Sequence, residues 1–361
     1  MLQGGGALGA YQAGVYEALS VAGIEPDWVI GTSIGAINAG LIAGNRNGER
    51  LSRLRRFWQR VEQTPALGNW ATIAHGIPTF FSPRVSALAG PHVSVGVDRA
   101  SYYSIEPLKD SLDELVEADL LGNPAIRLTV GAVSVRSGQL KYFDSRDSAL
   151  QVEHLMASAA LPPAFPAVRI DGEAYWDGGV YANTPIEPVF DDEPRHSSVI
   201  FAVDVWQPTG AEPQSIWEVM ARQKDIQYAS RADTHIARQK QIHQMRHVIR
   251  ELAKQLPQSK RQIDSCRELA AYGCGTTMHI VRLLAPTLAR EDFLKDIDFS
   301  GAGIRTRWKA GVEDAMKVIQ RAPWNDPVDA LEGVVVHELS ARSEMEVRNT
   351  EVLRSGVEHA G

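Results

Sequence analysis

The stretch DWVIGTSIGAINAGLIAG, Asp27 to Gly44, decides the fold. Trp28 to Gly31 is a short β-branched run that reads as a buried strand, and the small and apolar residues from Ile34 onward read as a helix. Between them, Gly31-Thr32-Ser33-Ile34-Gly35 fits the G-x-S-x-G pattern. Glycines on both flanks let a strained turn pass from strand to helix, with Ser33 at its apex and at the positive end of the helix. This is a nucleophile elbow on an α/β sheet. The apolar run is about 16 residues long and contains Thr32, Ser33 and Asn38, whereas a membrane-spanning helix takes about 20 predominantly apolar residues.

Upstream lies LQGGGALGAYQAGVYEAL, Leu2 to Leu19, whose bare backbone amides ask for a negative group. Gly4, Gly6 and Gly9 satisfy G-x-G-x-x-G, best known as a dinucleotide-binding turn. That use needs a strand before the turn and an acid closing the next strand. Only three residues precede Gly4, and Glu25 and Asp27 stand before WVIG rather than after it. The strand ahead of the loop is mostly missing, as though the chain starts late. Beside the elbow, the loop has another use: amides around Gly5 and Gly6, with that of Ile34, surround the oxyanion formed when Ser33 attacks a carbonyl.

A base for Ser33 is found in SAALPPAFPAVRIDGEAYWDGGVYANTPIEPV, where Asp177 ends the strand-like EAYW and precedes Gly178 and Gly179. An acid at a strand end, followed by uncrowded backbone, can reach across to the elbow of another strand. The same Asp-Gly pair also suits a β-turn.

In this order GGGALG, GTSIG and DGG resemble the patatin-like phospholipase family, over roughly Leu2 to Val205. The resemblance implies a three-layer α/β/α fold with a central, mostly parallel sheet. It implies a Ser-Asp dyad without histidine that cleaves carboxylic esters of lipids, with Ser33 as nucleophile and Asp177 as base. Gly4, Gly5 and Gly6 correspond to the family's oxyanion loop, and Gly31, Gly35, Gly178 and Gly179 to the glycines of the elbow and DGG motifs. SAALPPAFP and NTP are similar to the surroundings of the family's aspartate. Many members carry a basic residue in the loop where this chain has Leu8. The region after Val205, with DIDFS and RWKAG, is similar to the C-terminal extension of a bacterial subgroup. No cofactor and no metal is implied.

The 361 residues, 44% hydrophobic and 22% charged, suffice for one large domain or a domain with an appendage. Short β-branched runs alternate with helical patterns up to Trp206, which sets a catalytic domain at 1–206. Beyond WQPTGAEPQ, Ser215 to Leu256 reads as a helix carrying Ile216, Val219, Met220, Ile226, Ile236, Ile242, Val248 and Leu252, stopped by Pro257. The short apolar TMHIVRLL and the helix-like RTRWKAGVEDAMKVIQRA follow, so 207–361 reads as a mainly helical extension. Net charge is −7 and the basic residues form no block, which argues against nucleic acid as a partner. Met1 leads at once into glycines rather than into a basic and apolar leader, which points to the cytoplasm, with peripheral contact at a membrane holding the substrate. Cys266 and Cys274 lack CxxC spacing and read as reduced thiols.

His154 in VEHLMASAA reads as a packing or surface residue. His243 and His247 have i,i+4 spacing, but no acid completes an HExxH pattern and His235 lies about two turns away, so they read as exposed helix residues. Between Ala66 and Tyr103, the residues Trp70, Ile73, Ile77, Phe80 and Phe81 suit an acyl-chain pocket or the core equally well. Phospholipid or neutral-lipid esters are the substrates the resemblance implies, with short hydroxyacid esters as the alternative. From another class, the alternative is a non-catalytic lipid- or nucleotide-binding module on the same fold.

Overall fold

The computed structural model describes residues 1–63, 69–84, 92–288, 291–329 and 331–338, with backbone alone at 69–71 and 230–233. Strand β1 (Trp28–Gly31) lies parallel to β2 (Arg127–Ser134), and Gly31 pairs with Val130. The far edge of β2 takes β3 (Leu140–Asp144) in antiparallel register. Strands β4 (Val168–Ile170) and β5 (Glu173–Asp177) form a hairpin, and β5 runs antiparallel to β2, pairing Asp177 with Ala132. A second set, β6 (Ser198–Asp204), β7 (Met278–Leu284) and β8 (Val334–Glu338), is parallel throughout.

Residues 1–3 join the two sets. Leu2 bridges Gly31 on one side and Val203 on the other, both in parallel sense. Its N–H donates to Ile30 O at 2.8 Å and its carbonyl accepts from Thr32 N–H at 3.1 Å. Where the sequence offers almost no strand, these residues serve as the link. They lead straight into the glycine loop.

The central strands are apolar on both faces because both faces are covered. On one face Val29, Leu128, Val130, Val203 and Leu283 share a core with helices α1 (Ala10–Val21), α2 (Ile34–Ala43) and α3 (Arg50–Arg60). On the other, Ile30, Ile200, Ile280 and Val334 meet Ile186, Phe190 and Ile236. The result is the α/β/α layering anticipated above. All ten residues of α2 are buried, which explains why it is apolar around its whole circumference.

Three further helices matter to the site: α4 (Asn69–His75), α5 (Val152–Ser158) and the 40-residue α6 (Ile216–Gln255). Ser215 caps α6, its Oγ accepting from Glu218 N–H at 3.3 Å, and Pro257 follows its end. Helix α7 (Gly301–Arg321) packs along α1. TMHIVRLL, too short for periodicity to assign, pairs as β7 between β6 and β8. The region beyond Trp206 is therefore mainly helical, and it also adds two strands to the sheet.

Candidate active site

Strands β1 and β5 approach the same edge of β2 from opposite ends. Gly131 alone separates Val130, the last partner of β1, from Ala132, the partner of Asp177. Both strands stop at this gap. The turn after β1 and the end of β5 are thereby brought face to face.

Ser33 stands at the N-cap of α2 with φ 57° and ψ −126°. A residue with a side chain is strained there, and such strain concentrates at functional sites. Close approach requires both flanking glycines: a Cβ on Gly31 would lie 2.3 Å from Gly35 O, and one on Gly35 would lie 2.2 Å from Leu2 O. Ser158, at the end of α5, holds the turn. It accepts from Ser33 N–H at 3.1 Å and donates to Gly131 O at 2.6 Å.

Asp177 and Ser33 line the same cavity, the serine side chain favours the ionised form of the Asp177 carboxyl, and Gly179 N–H donates to Asp177 Oδ1 at 2.7 Å. Burial pushes the Asp177 carboxyl up to about 7, outweighing the opposing pull of the Ser33 side chain and of the Gly179 N–H. A base poised near neutrality is matched to taking a proton from a hydroxyl.

The glycine loop faces this pair. Gly6 has φ +55°, and a Cβ there would meet Asp296 O at 2.2 Å. Among the described residues, the N–H groups of Gly5, Gly6 and Ile34 have no backbone acceptor, and all three residues line one cavity with Ser33. Gly4 differs from the reading that groups it with them. Its N–H donates to Asn183 O at 3.3 Å, and its carbonyl accepts from Trp206 Nε1 at 2.7 Å and Asn183 Nδ2 at 2.9 Å, so Gly4 anchors the loop. A buried chain stands behind it: Gln12 Nε2 donates to Gln3 O at 2.6 Å, Asn38 Nδ2 to Gln12 Oε1 at 2.9 Å, and Trp58 Nε1 to Asn38 Oδ1 at 3.1 Å. The polar Asn38 within an apolar helix is the visible sign of this chain in the sequence.

The cavity is about 210 Å³, and away from Ser33 its wall is apolar, with Ile73, Phe80, Phe81, Phe165 and Phe299. Ile77 is fully buried in the core and is not part of that wall. The Trp70 side chain lies outside the described residues. Tyr228 of α6, Asp296 and Ile297 close another side. The Tyr228 ring lies 4.9 Å from Trp206, and burial, with Asp177 and Asp296 nearby, pushes its phenol up to about 12. Trp206 and Tyr228 escape sequence reasoning because each comes singly from a distant segment, and Phe165 and Phe299, though they lie in SAALPPAFP and DIDFS, have no spacing that marks them as cavity wall.

His154 is buried, its Nδ1 accepting from Gln151 N–H at 2.9 Å, and its ring packs on Phe143. His243 and His247 are buried rather than exposed, because α6 packs here against the segment leading into β7. Both Nε2 atoms contact Thr276 O, at 2.8 and 2.9 Å. Among the described residues, no group of three His, Cys, Asp or Glu side chains could hold a metal ion.

Residues 1–190 match the family model described as Patatin-like phospholipase. The chain belongs to the patatin-like phospholipase family. Residues 226–331 match a second model, described as Patatin phospholipase, so the patatin likeness continues through most of α6, β7 and α7. Among solved structures the chain is similar to VipD from Legionella pneumophila, at 14% identity and a TM-score of 0.39, over 99% of this chain and 74% of that one. No curated protein matches. Membership in the patatin-like family makes this a lipid acyl hydrolase at family level. Among the described residues, no helix is long and apolar enough to cross a membrane.

Proposed function

We propose that the chain hydrolyses carboxylic ester bonds of lipids through a dyad of Ser33 and Asp177. The observation that carries this reading is a buried carboxylate, poised near neutrality, that lines one largely apolar cavity with a serine on a strained turn. Ser33 Oγ attacks the ester carbonyl carbon while Asp177 takes its proton. The carbonyl oxygen becomes anionic among the N–H groups of Gly5, Gly6 and Ile34, at the positive end of α2. Collapse breaks the bond to the alcohol, which leaves with the proton from Asp177 and leaves the acyl group on Ser33. Water, deprotonated by Asp177, then releases the acid and restores the serine.

The acyl chain lies against Ile73, Phe80 and Phe81. Residues 1–206 carry the chemistry, and Tyr228, Asp296, Ile297 and Phe299 from the region beyond complete the cavity. Peripheral contact with a lipid surface belongs to the same reading: the start of α6 turns Ile216, Trp217, Val219 and Ile226 to solvent, and Tyr228 on that helix lines the cavity.

A fluorophosphonate should label the folded protein at Ser33, and phospholipid vesicles incubated with it should release fatty acid. Ser33→Ala should abolish both. Folded wild-type protein that does neither would make this a lipid-binding module without chemistry.

A further inference from the structure

The peptide unit between Gly4 and Gly5 carries two of the site's groups on one rigid plane. Its carbonyl belongs to Gly4 and its N–H to Gly5, and in a trans peptide they point in opposite directions. The carbonyl accepts from Trp206 Nε1 at 2.7 Å and from Asn183 Nδ2 at 2.9 Å. The N–H has no backbone acceptor among the described residues, and Gly5 lines the cavity. Two donors at one end of an amide draw charge toward its oxygen and make its N–H a stronger donor, by roughly 10–30% per bond. They also fix the plane, so the N–H needs no reorientation as the oxyanion forms.

Trp206 is itself held from the region beyond it. The Lys295 ammonium lies 5.4 Å from the centroid of the indole ring and is bound to Asp225 Oδ1 at 2.7 Å, with both charged residues buried. A cation near an aromatic ring is drawn to its π-electrons, and the shift of those electrons leaves the indole N–H more positive. The glycine loop, Gln3 to Gly9, has no charged side chain of its own. A buried ion pair adds little net stability, so its position beside this tryptophan calls for another account. Arg307 of α7 secures the turn that carries Lys295, donating to the carbonyls of Lys295 at 3.4 Å and Asp298 at 3.3 Å.

We propose that Trp206 and Asn183, with the buried Lys295–Asp225 pair behind the indole, are positioning residues that aim and polarise the Gly5 N–H toward the oxyanion. The region beyond residue 206 thereby serves the chemistry as well as the sheet. This rests on the hydrolase reading above.

Trp206→Phe keeps an aromatic ring near Lys295 and removes the indole N–H. Its kcat on a nitrophenyl ester and its rate of fluorophosphonate labelling should both fall about tenfold or more with KM within about twofold, because the lost interaction matters in the transition state and not in the bound ester. Substituting Lys295→Met together with Asp225→Leu removes both charges at once. Stability should survive that exchange while kcat falls several-fold, and Lys295→Arg alone should retain most of the rate. Folded Trp206→Phe with wild-type kcat overturns the proposal, as does a rise in KM that accounts for the whole loss. Should Trp206→Phe fail to fold, the charge-pair variant decides, and an unchanged kcat there overturns it. A wild-type protein that is neither labelled nor active sinks the hydrolase reading instead, a result distinct from either of these.

Discussion

Two walls of one cavity obey different rules. The wall with Ser33, Asp177 and the glycine loop is made of backbone: a strained turn, N–H groups with no backbone acceptor among the described residues, and contacts that leave no room for a Cβ at Gly6, Gly31 or Gly35. The opposite wall is made of bulk. Phe80 meets Phe81, Phe165 and Phe299 edge-on at centroid distances of 5.6, 6.3 and 5.6 Å. A backbone requirement dictates a residue type at a fixed spacing, whereas a requirement for volume can be met from any segment that reaches the place. Substitutions should therefore divide into two classes, one altering rate whatever the substrate and the other altering stability and chain-length preference.

The largest effect should come from the dyad. Ser33→Ala and Asp177→Asn should each lower kcat about 10⁴-fold or more, and the double variant should be little worse than the worse single, because the two groups act as one unit. Losses that multiply would assign the base to another residue. Next comes Gly6→Ala, which places a methyl group against Asp296 O at a φ that L residues avoid. Displacing one oxyanion donor should lower kcat by about 10²- to 10³-fold on short and long esters alike. A loss confined to long-chain esters would break the division between the walls.

This division also explains what could be read in advance. The elbow, the loop and the Asp177 turn were legible because each needs glycine at set positions, and each lies within a short stretch of chain. Gly4 was read with its neighbours because nothing local distinguishes an amide that faces Asn183 from one that faces the cavity. His243 and His247 looked exposed because one sequence cannot show that α6 crosses the approach to β7. Tyr228 reaches the cavity from a segment with no motif at all, and Phe299 from DIDFS, whose resemblance carries no chemistry. The apolar run TMHIVRLL became a strand only because β6 and β8 were there to pair with it.

Asp177 links chemistry to stability through pH. Its carboxyl is raised from an ordinary 3.8 to about 7, so kcat/KM should climb as the pH rises and level off above about 7. Between these values the folded protein holds a proton that the unfolded chain releases. The stability this group contributes is whole below about pH 4 and is lost as the pH rises through about 7, up to roughly 4 kcal/mol in all. Asp177→Asn should therefore melt well above wild type at pH 8, and the gap should close near pH 4. An equal gap at both pH values would mean that the carboxylate is not held in a desolvated state.

The smallest effect tests the apolar wall, and it needs the right residue. Phe80 is 7% exposed and caged by Phe57, Phe81, Phe165 and Phe299, so Phe80→Ala should remove about 3–5 kcal/mol of stability and confound any reading of specificity. Ile73 is half-buried on α4 and borders the same cavity, and the Tyr103 hydroxyl holds its carbonyl at 2.7 Å, a contact that a side-chain change leaves in place. With wild-type protein, each added methylene of a nitrophenyl ester should improve kcat/KM by up to about 0.8 kcal/mol, or roughly fourfold, until the cavity of about 210 Å³ is filled. Ile73→Ala should lessen that climb, with the melting temperature within a few degrees of wild type. Acetate-ester hydrolysis should stay within about twofold, because the reacting carbonyl is held by the backbone wall. If Ile73→Ala slows acetate and octanoate esters equally, the side chain supports the glycine loop rather than the acyl chain, and the two walls are one structure.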